Sequence, residues 1–368
     1  RTGTLTLNTA SKVLYTTGAN STMTPEVYGH IEHNGGTLSQ DGALTVAGTF
    51  RNTSGNFVAS QDITANGIEW TADAVTGSPA QTWDIGTGGI TIDGGTFKAT
   101  TGTFTLAGDW TLNGGTLNAT TSTVDFDGTA AQTITSNSNA FYSAVVSNTT
   151  ATVSIADKFE FDASGTLTID ASATFATASF EFDDNGGTIT NNGTFEIHGD
   201  ETFSTASLSI PGNTKVVDPA GCILTTHLDG LENVEFNSNG NTFTLSEDSD
   251  YITGDITIAV NTTFDMGAFN LTLADIKTVT NSGTWTAPIT PSVFTCAGNA
   301  TLAGEDINFF DFSATSTNTD TIIFQGTKTY TVANNLTLTG ADGTELYLTS
   351  DDEVATATIS NTDGTQTV

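Results

Sequence analysis

Basic side chains are scarce in this chain of 368 residues. Lysine and arginine together number 8, against 41 aspartates and glutamates, so the formal net charge is −33. A partner that presents phosphate groups would meet a repulsive field at such a surface. We therefore exclude nucleic-acid binding.

Long apolar runs are also absent. A helix that crosses a bilayer needs about 20 consecutive apolar residues, and no run approaches that length. No basic amphipathic stretch is present that would lie on an anionic membrane surface. The sequence predicts a protein without membrane insertion. Because it begins at Arg1 without an initiator methionine, we expect a processed product or a segment of a longer chain.

Cysteine is nearly absent, with only Cys222 and Cys296. This usage fits an extracellular protein held together by stacking rather than by a disulfide framework. The two cysteines precede Leu231 and Ile307, which open two similar segments, at similar distances along the chain. We predict that they are equivalent residues of a repeat, about three coils and ~14 Å apart. That separation exceeds the reach of a disulfide, so we expect two unpaired buried thiols.

Alternation of threonine with apolar residues dominates the sequence. It occurs in runs of four to six residues bounded by glycine, asparagine or aspartate, for example at 4–7, 102–106, 165–169 and 335–339. A period of two is typical of a β-strand with one buried face, and β-branched threonine suits the solvated face. Since no stretch has convincing helical periodicity, we predict an all-β fold.

A corner motif recurs between these runs. The pattern Asn/Asp-Gly-Gly-Thr-apolar begins at Asn34, Asp93, Asn113 and Asn185, and the copies at Asp93 and Asn113 are one short coil apart. Glycine adopts the positive φ that a tight corner requires, and the Thr-apolar pair starts the next strand. The motif therefore indicates coils with corners.

A longer repeat is superimposed on this coil-length repeat. The segments 141–146, 231–236 and 307–312 align with Val145, Val234 and Phe310 in register. Repetition at this scale is typical of solenoids and arrays. The short rhythm and the low proline content favour a parallel β-solenoid (β-helix) of about 16 coils of 20–25 residues over a sandwich array or a propeller. We predict one continuous rod over 1–368, with repeat modules at roughly 1–140, 141–230, 231–306 and 307–368.

Two consecutive segments carry a family resemblance. Residues 126–135 read FDGTAAQTIT, and residues 141–146 read FYSAVV. They resemble the Gly/Thr-rich parallel β-helix repeats of very large bacterial surface and secreted proteins, of the filamentous-haemagglutinin and autotransporter-adhesin kind. That repeat commonly reads FNGTGxQTIT and then FYNLxI, from which Ser143 and Ala144 depart. The resemblance covers nearly the whole chain and implies extracellular display or fibre building, without a particular ligand.

Polysaccharide-cleaving enzymes and phage tailspikes are also parallel β-helices. Their pectinase-like sites need clustered carboxylates together with a histidine and basic residues. The tripeptide Asn-Thr-Asp occurs at 318–320 and 361–363, but Gly-His-Gly and Arg-x-Lys are absent. Such tripeptides are expected by chance in a chain rich in threonine and asparagine, so we predict no catalytic residues and no enzyme.

Four acidic residues are candidate metal ligands. Asp125 and Asp127 fall on one strand face, and Asp183 and Asp184 lead into a Gly-Gly turn. Oxygen-rich corners bind Ca²⁺ at surface-module affinity. The repeat motif Gly-Gly-x-Gly-x-Asp is absent, however, so an interpretation as solvated turn acids is preferred. We hypothesise weak Ca²⁺ sites at Asp125, Asp127, Asp183 and Asp184, and no other cofactor.

Histidine and tryptophan are interpreted as structural. His30 and His33 are three residues apart, which on a strand places their side chains on opposite faces, so an ordinary surface loop is preferred to a metal site. The tryptophans follow alternating patterns and are predicted to pack in the core or corners rather than to stack on sugars: Trp70, Trp83, Trp110 and Trp285.

These observations favour a non-catalytic structural or adhesive module of an extracellular, cell-surface β-solenoid fibre or filament. High acidity would keep such a surface soluble and mutually repulsive. The expected partners are neighbouring repeats or identical subunits end to end, with surface glycans as a further candidate. Two alternatives stay open: a carbohydrate-binding or polysaccharide-degrading β-helix, and an ice-binding solenoid. For the last, coils of variable length are expected to spoil the flat threonine array.

Overall fold

The chain folds as an all-β parallel β-solenoid of about 13 turns. The computed structural model describes residues 10–16, 21–23, 27–71, 75–77, 80–198, 210–217, 222–224, 231–238, 240–245, 249–286, 291–352, 354–362 and 364–367. The predicted fold class is confirmed. The predicted 16 coils are too many, because some coils are longer than expected: Thr329 pairs with Thr358 of the next turn, and Leu336 with Gln366. The described residues include no helix, and so none long and apolar enough to cross a membrane.

The described residues form two compact units, one up to Thr194 and one from Phe195 onward. The described residues of the first unit form 21 strands. They are β1 (Lys12–Thr16), β2 (Ser21–Met23), β3 (Val27–Tyr28), β4 (His30–Gln40), β5 (Leu44–Ala59), β6 (Ile63–Trp70), β7 (Val75–Gly77), β8 (Trp83–Ile92), β9 (Thr96–Lys98), β10 (Thr103–Leu106), β11 (Trp110–Leu112), β12 (Thr116–Asn118), β13 (Thr123–Phe126), β14 (Gln132–Thr135), β15 (Ser143–Val146), β16 (Val153–Ile155), β17 (Phe159–Glu160), β18 (Thr166–Ile169), β19 (Thr174–Ala176), β20 (Phe182–Asp183) and β21 (Thr188–Asn191).

Strand β22 (Thr194–Ile197) begins at the boundary between the units, and the described residues after it form 20 more strands. They are β23 (Ile210–Val216), β24 (Cys222–Leu224), β25 (Leu231–Phe236), β26 (Thr242–Leu245), β27 (Ser249–Ile252), β28 (Ile256–Ile258), β29 (Thr263–Asp265), β30 (Leu271–Leu273), β31 (Lys277–Asn281), β32 (Thr284–Trp285), β33 (Val293–Cys296), β34 (Ala300–Gly304), β35 (Ile307–Phe309), β36 (Asp311–Thr315), β37 (Asp320–Phe324), β38 (Thr329–Val332), β39 (Leu336–Thr339), β40 (Leu346–Ser350), β41 (Thr358–Asn361) and β42 (Gln366–Thr367).

Pairing in the first unit is parallel and stacks equivalent residues in columns. One inward column, on β8, β10, β13, β15 and β18, consists of Trp83, Phe104, Val124, Ala144 and Leu167. All five side chains are buried, and the rings of Trp83 and Phe104 are 5.0 Å apart. Since burial of one large apolar side chain contributes about 1.5–3 kcal/mol, the columns supply the main driving force for stacking.

The second unit is built in the same way. Strands β25, β28, β31, β34 and β37 stack Val234, Ile256, Val279, Leu302 and Phe324 in one buried column. A different sheet, made of β24, β26, β29 and β32, stacks Phe243, Phe264 and Trp285. In these columns the apolar half of each alternating run faces the core, as predicted.

Glycine at the corners has the backbone conformation that the motif predicts. In three of the four copies the second glycine has a positive φ, for example +73° at Gly95 and +81° at Gly115, whereas in the copy that begins at Asn185 it is the first glycine, Gly186, at +80°. A Cβ atom at Gly115 would lie 2.4 Å from the carbonyl oxygen of Gly95 in the preceding turn. Successive turns therefore approach closely at this corner, where a side chain would not fit.

The two cysteines occupy different sheets. Cys222 lies in β24 and pairs with Phe243, whereas Cys296 lies in β33 and pairs with Leu273. The predicted repeat equivalence is therefore wrong, because similar spacing along the chain does not place the residues in one column. Cys296 is a buried free thiol, as predicted, and burial raises its pKa to about 12. The side chain of Cys222 lies outside the description.

The segments that suggested the repeat modules also lie in different sheets within the second unit. Residues 231–236 form β25, which pairs with β28, while residues 307–309 form β35, which pairs with β38. The boundary between the compact units, at Thr194 and Phe195, differs from the module boundaries at 141, 231 and 307. One continuous rod with those modules stays a prediction.

Candidate functional site

The outward face of the first unit presents two columns of mainly hydroxyl side chains. Strand neighbours are about 4.8 Å apart and alternate residues of one strand about 6.8 Å apart, so the columns define a regular grid. On β10, β13, β15, β18 and β21 the outward pairs are Thr103 with Thr105, Thr123 with Asp125, Ser143 with Val145, Thr166 with Thr168, and Thr188 with Thr190.

Variable coil length does not disturb this grid. Val124 pairs with Ala144, and Ala144 pairs with Leu167, across coils of different length and without a register shift. The additional residues lie in the corners, so the register between these five strands does not depend on coil length. That variable coils spoil the flatness of the array stays a prediction. Side-chain chemistry interrupts the array at Asp125 and Val145, and Ser143 is buried.

Acidic side chains at the corners accept hydrogen bonds from the backbone of another turn. Asp62 Oδ1 accepts from the Thr82 amide at 2.8 Å, and Asp109 Oδ1 accepts from the Thr133 amide at 2.8 Å. A parallel ladder leaves amides unpaired where a strand begins, and a carboxylate is a strong acceptor for them. These aspartates, which we call corner acceptors, are therefore committed to joining turns.

A larger polar bridge joins three turns of the second unit. Asn299 Nδ2 donates to Asp275 Oδ1 at 3.0 Å and to Asp320 Oδ1 at 3.1 Å. Asn299 Oδ1 accepts from the Thr321 amide at 2.9 Å. One amide side chain thus separates two carboxylates and holds the turns on either side of its own.

Two of the predicted calcium ligands lie on the outward face of the first unit. Asp125 is half-buried and accepts a hydrogen bond from Ser147 Oγ at 2.6 Å. Burial raises the pKa of the Asp125 carboxyl; the Ser147 bond opposes this, and the charge of Asp170 adds to it. Partial burial and the charge of Asp125 likewise raise the pKa of Asp127. Both carboxyls therefore lie where negative charge is disfavoured.

The other two predicted ligands are engaged in local contacts. Asp183 Oδ1 accepts from the Asn185 amide at 2.9 Å, and Asp184 Oδ1 accepts from the Gly186 amide at 3.3 Å. Both residues are buried. For Asp183 and Asp184 the preferred interpretation as solvated turn acids is therefore wrong, because their carboxylates hold the turn that the Gly-Gly motif forms.

Lys158 is the centre of an ion-pair cluster that the sequence did not reveal. Its Nζ lies 2.9 Å from Glu160 Oε2, 3.2 Å from Glu181 Oε1 and 3.2 Å from Asp183 Oδ2. Glu160 stands opposite Asp183 in the β17–β20 pair, so the ammonium separates two like charges. The hydrogen bond to Glu160, followed by those to Asp183 and Glu181, raises the pKa of Lys158.

The predicted calcium ligands do not converge on one centre. Within the part of the chain that the structure describes, no group of three or more histidine, cysteine, aspartate or glutamate side chains is arranged to hold a metal ion. Asp183 also shares the Lys158 ammonium. The weak Ca²⁺ sites stay a prediction.

His30 and His33 lie in strand β4 rather than in a surface loop. His30 Nδ1 accepts from the Thr49 amide at 3.0 Å. His33 is buried, with Nδ1 2.6 Å from Asn52 Oδ1 and Nε2 2.8 Å from the Gly35 carbonyl oxygen. The surface-loop interpretation is therefore wrong, because both rings bond to backbone or amide groups of the coil.

The Asn-Thr-Asp tripeptide at 318–320 forms a turn. Asp320 is buried, and its Oδ2 accepts from the Thr317 amide at 3.1 Å. Its other carboxylate oxygen binds Asn299. The second tripeptide ends at Asp363, which lies outside the described residues.

All four tryptophans are core residues, as predicted. Trp70, Trp83, Trp110 and Trp285 are each at most 1% exposed. Trp70 and Trp110 contact the Phe97 ring edge-on, at 5.9 and 6.2 Å between centroids. No tryptophan face is therefore open to a sugar.

Two cavities lie beside β40 in the second unit. The first has a volume of about 440 Å³ and is lined by Leu338, Leu346 and Leu348 together with Asp342 and Glu345. The second, of about 370 Å³, lies between Phe324, Leu348 and Ile359. Both are open and mainly apolar.

Comparison with known proteins identifies no relative of this chain. No family model, no curated protein and no solved structure matches the chain. The Thr-rich parallel β-solenoid is present, as the resemblance implied.

Proposed function

We propose that the chain is a non-catalytic structural or adhesive module of an extracellular, cell-surface β-solenoid fibre, of the filamentous-haemagglutinin or autotransporter-adhesin kind. The observation that supports this most directly is the use of its outward polar groups. The corner acceptors and the Asn299 bridge join successive turns. In a binding protein such carboxylates and amides would contact a ligand. In this chain they join the turns of the solenoid.

The charge distribution supports the same proposal. Basic side chains form ion pairs with carboxylates, as in the pair of Arg51 with Glu69 and that of Lys328 with Glu305. Among the described residues such pairs also involve Lys12, Lys158 and Lys215, so most of the few cations are neutralised locally and the surface is strongly acidic. A surface of this kind repels copies of itself laterally and stays hydrated, which suits a displayed appendage.

Immunogold labelling of intact cells of the source organism tests this function. An antibody against the purified chain is expected to label the cell exterior or filaments released from it, and external protease is expected to remove the signal. A cytoplasmic marker provides the control for cell integrity. Label confined to the cell interior would contradict the proposal.

Weak Ca²⁺ binding at Asp125 and Asp127 is a subsidiary proposal. The raised pKa of both carboxyls reflects a site where negative charge is disfavoured, which a divalent cation would relieve. Adding millimolar-range Ca²⁺ after chelation is expected to raise the melting temperature, and the double substitution Asp125→Asn with Asp127→Asn is expected to abolish the rise. An unchanged melting temperature in the unsubstituted protein would remove the idea.

The hydroxyl grid favours one second candidate, binding to the regular lattice of ice. The grid keeps its register over five strands of the first unit. A thermal-hysteresis assay is expected to show activity that Thr168→Lys, in the middle of the grid, reduces and that Thr242→Lys, in the other unit, leaves unchanged. Absence of hysteresis in the unsubstituted protein would exclude this function.

A further inference from the structure

Two histidines of strand β4 make hydrogen bonds that require different protonation states. His30 lies on the outward face of the strand and is half-buried, whereas His33 lies on the inward face and is buried. A neutral imidazole has one N–H donor and one acceptor nitrogen, while the imidazolium has two donors and no acceptor. The groups that face each ring therefore indicate which form the fold accommodates.

His33 has a hydrogen-bond acceptor at both ring nitrogens. Its Nδ1 lies 2.6 Å from Asn52 Oδ1, and its Nε2 lies 2.8 Å from the Gly35 carbonyl oxygen. The Asn52 amide is oriented by its own Nδ2, which donates to the Gly55 carbonyl oxygen at 3.2 Å. A neutral ring would direct a lone pair at one of these oxygens, whereas the imidazolium donates to both of them.

The surroundings of His33 are polar but uncharged on its own face. The paired neighbours of His33 are Tyr15 of β1 and Asn52 of β5. Burial opposes a cation at this position, and the two charge-assisted bonds, together with the formal net charge of −33, favour one. The charged side chains of the neighbouring strands lie on the outward face and form two ion pairs, Lys12 with Glu32 and Arg51 with Glu69.

His30 has the opposite requirement, because a donor faces its Nδ1. The backbone amide of Thr49 donates to this nitrogen at 3.0 Å, so Nδ1 carries a lone pair. The ring lies against Gly48, where a Cβ atom would overlap it. Lys12 is the paired neighbour of His30 in β1, and its positive charge opposes a second cation, while the Glu32 carboxylate on this face is engaged by Lys12. Protonation of Nδ1 would break the Thr49 bond and bring two N–H groups together.

We propose that His30 and His33 form a pH-sensitive contact between β4 and β5, which is complete only while His33 is protonated and His30 is neutral. The contact consists of the His30–Thr49 bond and the His33–Asn52 bond, each of which joins the two strands. The folded state favours the cation of His33, so the stability from this residue is lost as the pH rises. It favours the neutral form of His30, so the stability from that residue is lost as the pH falls. The packing of β4 on β5 is therefore tightest near neutral pH and loosens on either side.

Hydrogen exchange of the full chain between about pH 5 and pH 8.5 tests the contact, with each rate expressed as a protection factor to remove its intrinsic pH dependence. Protection of the peptide that contains Thr49 is expected to fall about tenfold from about pH 7 to pH 5. Protection of the peptide that contains 33–36 is expected to fall about tenfold from about pH 7 to pH 8.5. The peptide 166–169, in a stretch without histidine, is the control and should keep its protection. Constant protection of the first two peptides, or equal losses in all three, overturns the proposal.

Two variants that do not titrate in this range separate the histidines. His30→Asn provides an amide oxygen that accepts from Thr49, so it is expected to keep the protection at neutral pH and to remove the loss in acid. His33→Gln retains one donor toward the Gly35 carbonyl oxygen, so it is expected to lower protection about tenfold at neutral pH and to remove the loss in base. Circular dichroism of both variants establishes that they fold. A variant that keeps the pH dependence of the parent overturns the role of the histidine it replaces.

Nitrogen NMR of the unsubstituted chain, labelled with ¹⁵N-histidine, detects the protonation states directly. The chain has four histidines, and the two variants assign the signals of His30 and His33. At about pH 7 both ring nitrogens of His33 should carry a proton, whereas Nδ1 of His30 should carry none. A neutral His33 or a cationic His30 at that pH overturns the proposal. None of these results depends on cell-surface labelling, so this inference and the proposed function fail separately.

Discussion

The substitution Asn299→Asp changes one polar group in the bridge that joins three turns. Asn299 Nδ2 lies 3.0 Å from Asp275 Oδ1 and 3.1 Å from Asp320 Oδ1. In the variant a third carboxylate would face these two, while its remaining Oδ1 would still accept from the Thr321 amide. The change therefore replaces two favourable contacts by two repulsive ones at nearly constant volume.

The size of the effect follows from the contacts. Loss of two hydrogen bonds to charged groups is worth about 2 kcal/mol in a partly solvated setting. Repulsion between carboxylates at about 4 Å adds about 1 kcal/mol per pair in a water-like dielectric, and more where burial lowers it. We expect Asn299→Asp to lower the free energy of unfolding by about 3–4 kcal/mol at neutral pH. Asn299→Ala, which also loses the Thr321 bond but adds no charge, is expected to cost about 2–3 kcal/mol.

The pH dependence distinguishes charge from lost contacts. Crowding by two carboxylates raises the pKa of the new carboxyl in the folded protein, so the variant gains stability relative to the parent as the pH falls through that value. Protonated, the new side chain again donates to a neighbour. At about pH 3.5, below the usual pKa of aspartate, Asn299→Asp should therefore be more stable than Asn299→Ala, the reverse of their order at neutral pH.

Urea unfolding in the presence of a chelator measures these differences, and hydrogen exchange of peptides that contain Thr321 locates them. The chelator prevents a metal ion from bridging the three carboxylates. If Asn299→Asp and Asn299→Ala keep the same order and spacing at both pH values, charge does not govern the bridge and the reasoning is refuted.

Three further changes have defined outcomes. Because burial raises the pKa of Asp125, the ionised form of this carboxyl opposes folding. Urea unfolding should show that Asp125→Asn stabilises the protein by a few tenths to about 1 kcal/mol at neutral pH. Near pH 3 it should give no gain, since the cost disappears once the carboxyl is protonated. Ile276 is 76% exposed with a φ of +62°, a conformation that is strained for a β-branched residue, so Ile276→Asn should raise the unfolding free energy by about 1 kcal/mol while Val260→Asn, in an ordinary conformation, should not. Lys158→Gln leaves three carboxylates facing one another and should cost about 1–2 kcal/mol at neutral pH but less in acid, whereas Lys158→Arg should keep most of the stability in a thermal melt.

The fold could be predicted because it depends on local patterns. Alternation of threonine with Leu, Ile, Val or Phe specifies which face of a strand is buried, and the Gly-Gly corners specify where it ends. Trp83 and Phe104 lie in the core for that reason. The number of turns is predicted less accurately, because the strand pattern does not determine the length of the corners.

The contacts of the candidate site could not be predicted in the same way. They depend on which residue lies one turn away, and that distance varies. Asp62 binds the amide of Thr82, whereas Asp109, across a longer coil, binds that of Thr133. The Lys158 cluster likewise reaches Glu181 and Asp183 in the next turn. A sequence without aligned turns does not reveal these pairs, so neither the corner acceptors nor the role of Asp183 in the Lys158 cluster could be predicted.

Corners that absorb additional residues without shifting the sheet make the chain a natural acceptor for inserted peptides. The corner at 170–173 lies in the coil between Leu167 and Ile189. Leu167 pairs with Ala144 of the preceding turn and with Ile189 of the next, although the two coils differ in length. An epitope grafted there would be presented at a fixed height along the stack. A change of loop sequence at such a corner is accordingly expected to leave the columns beneath it in register.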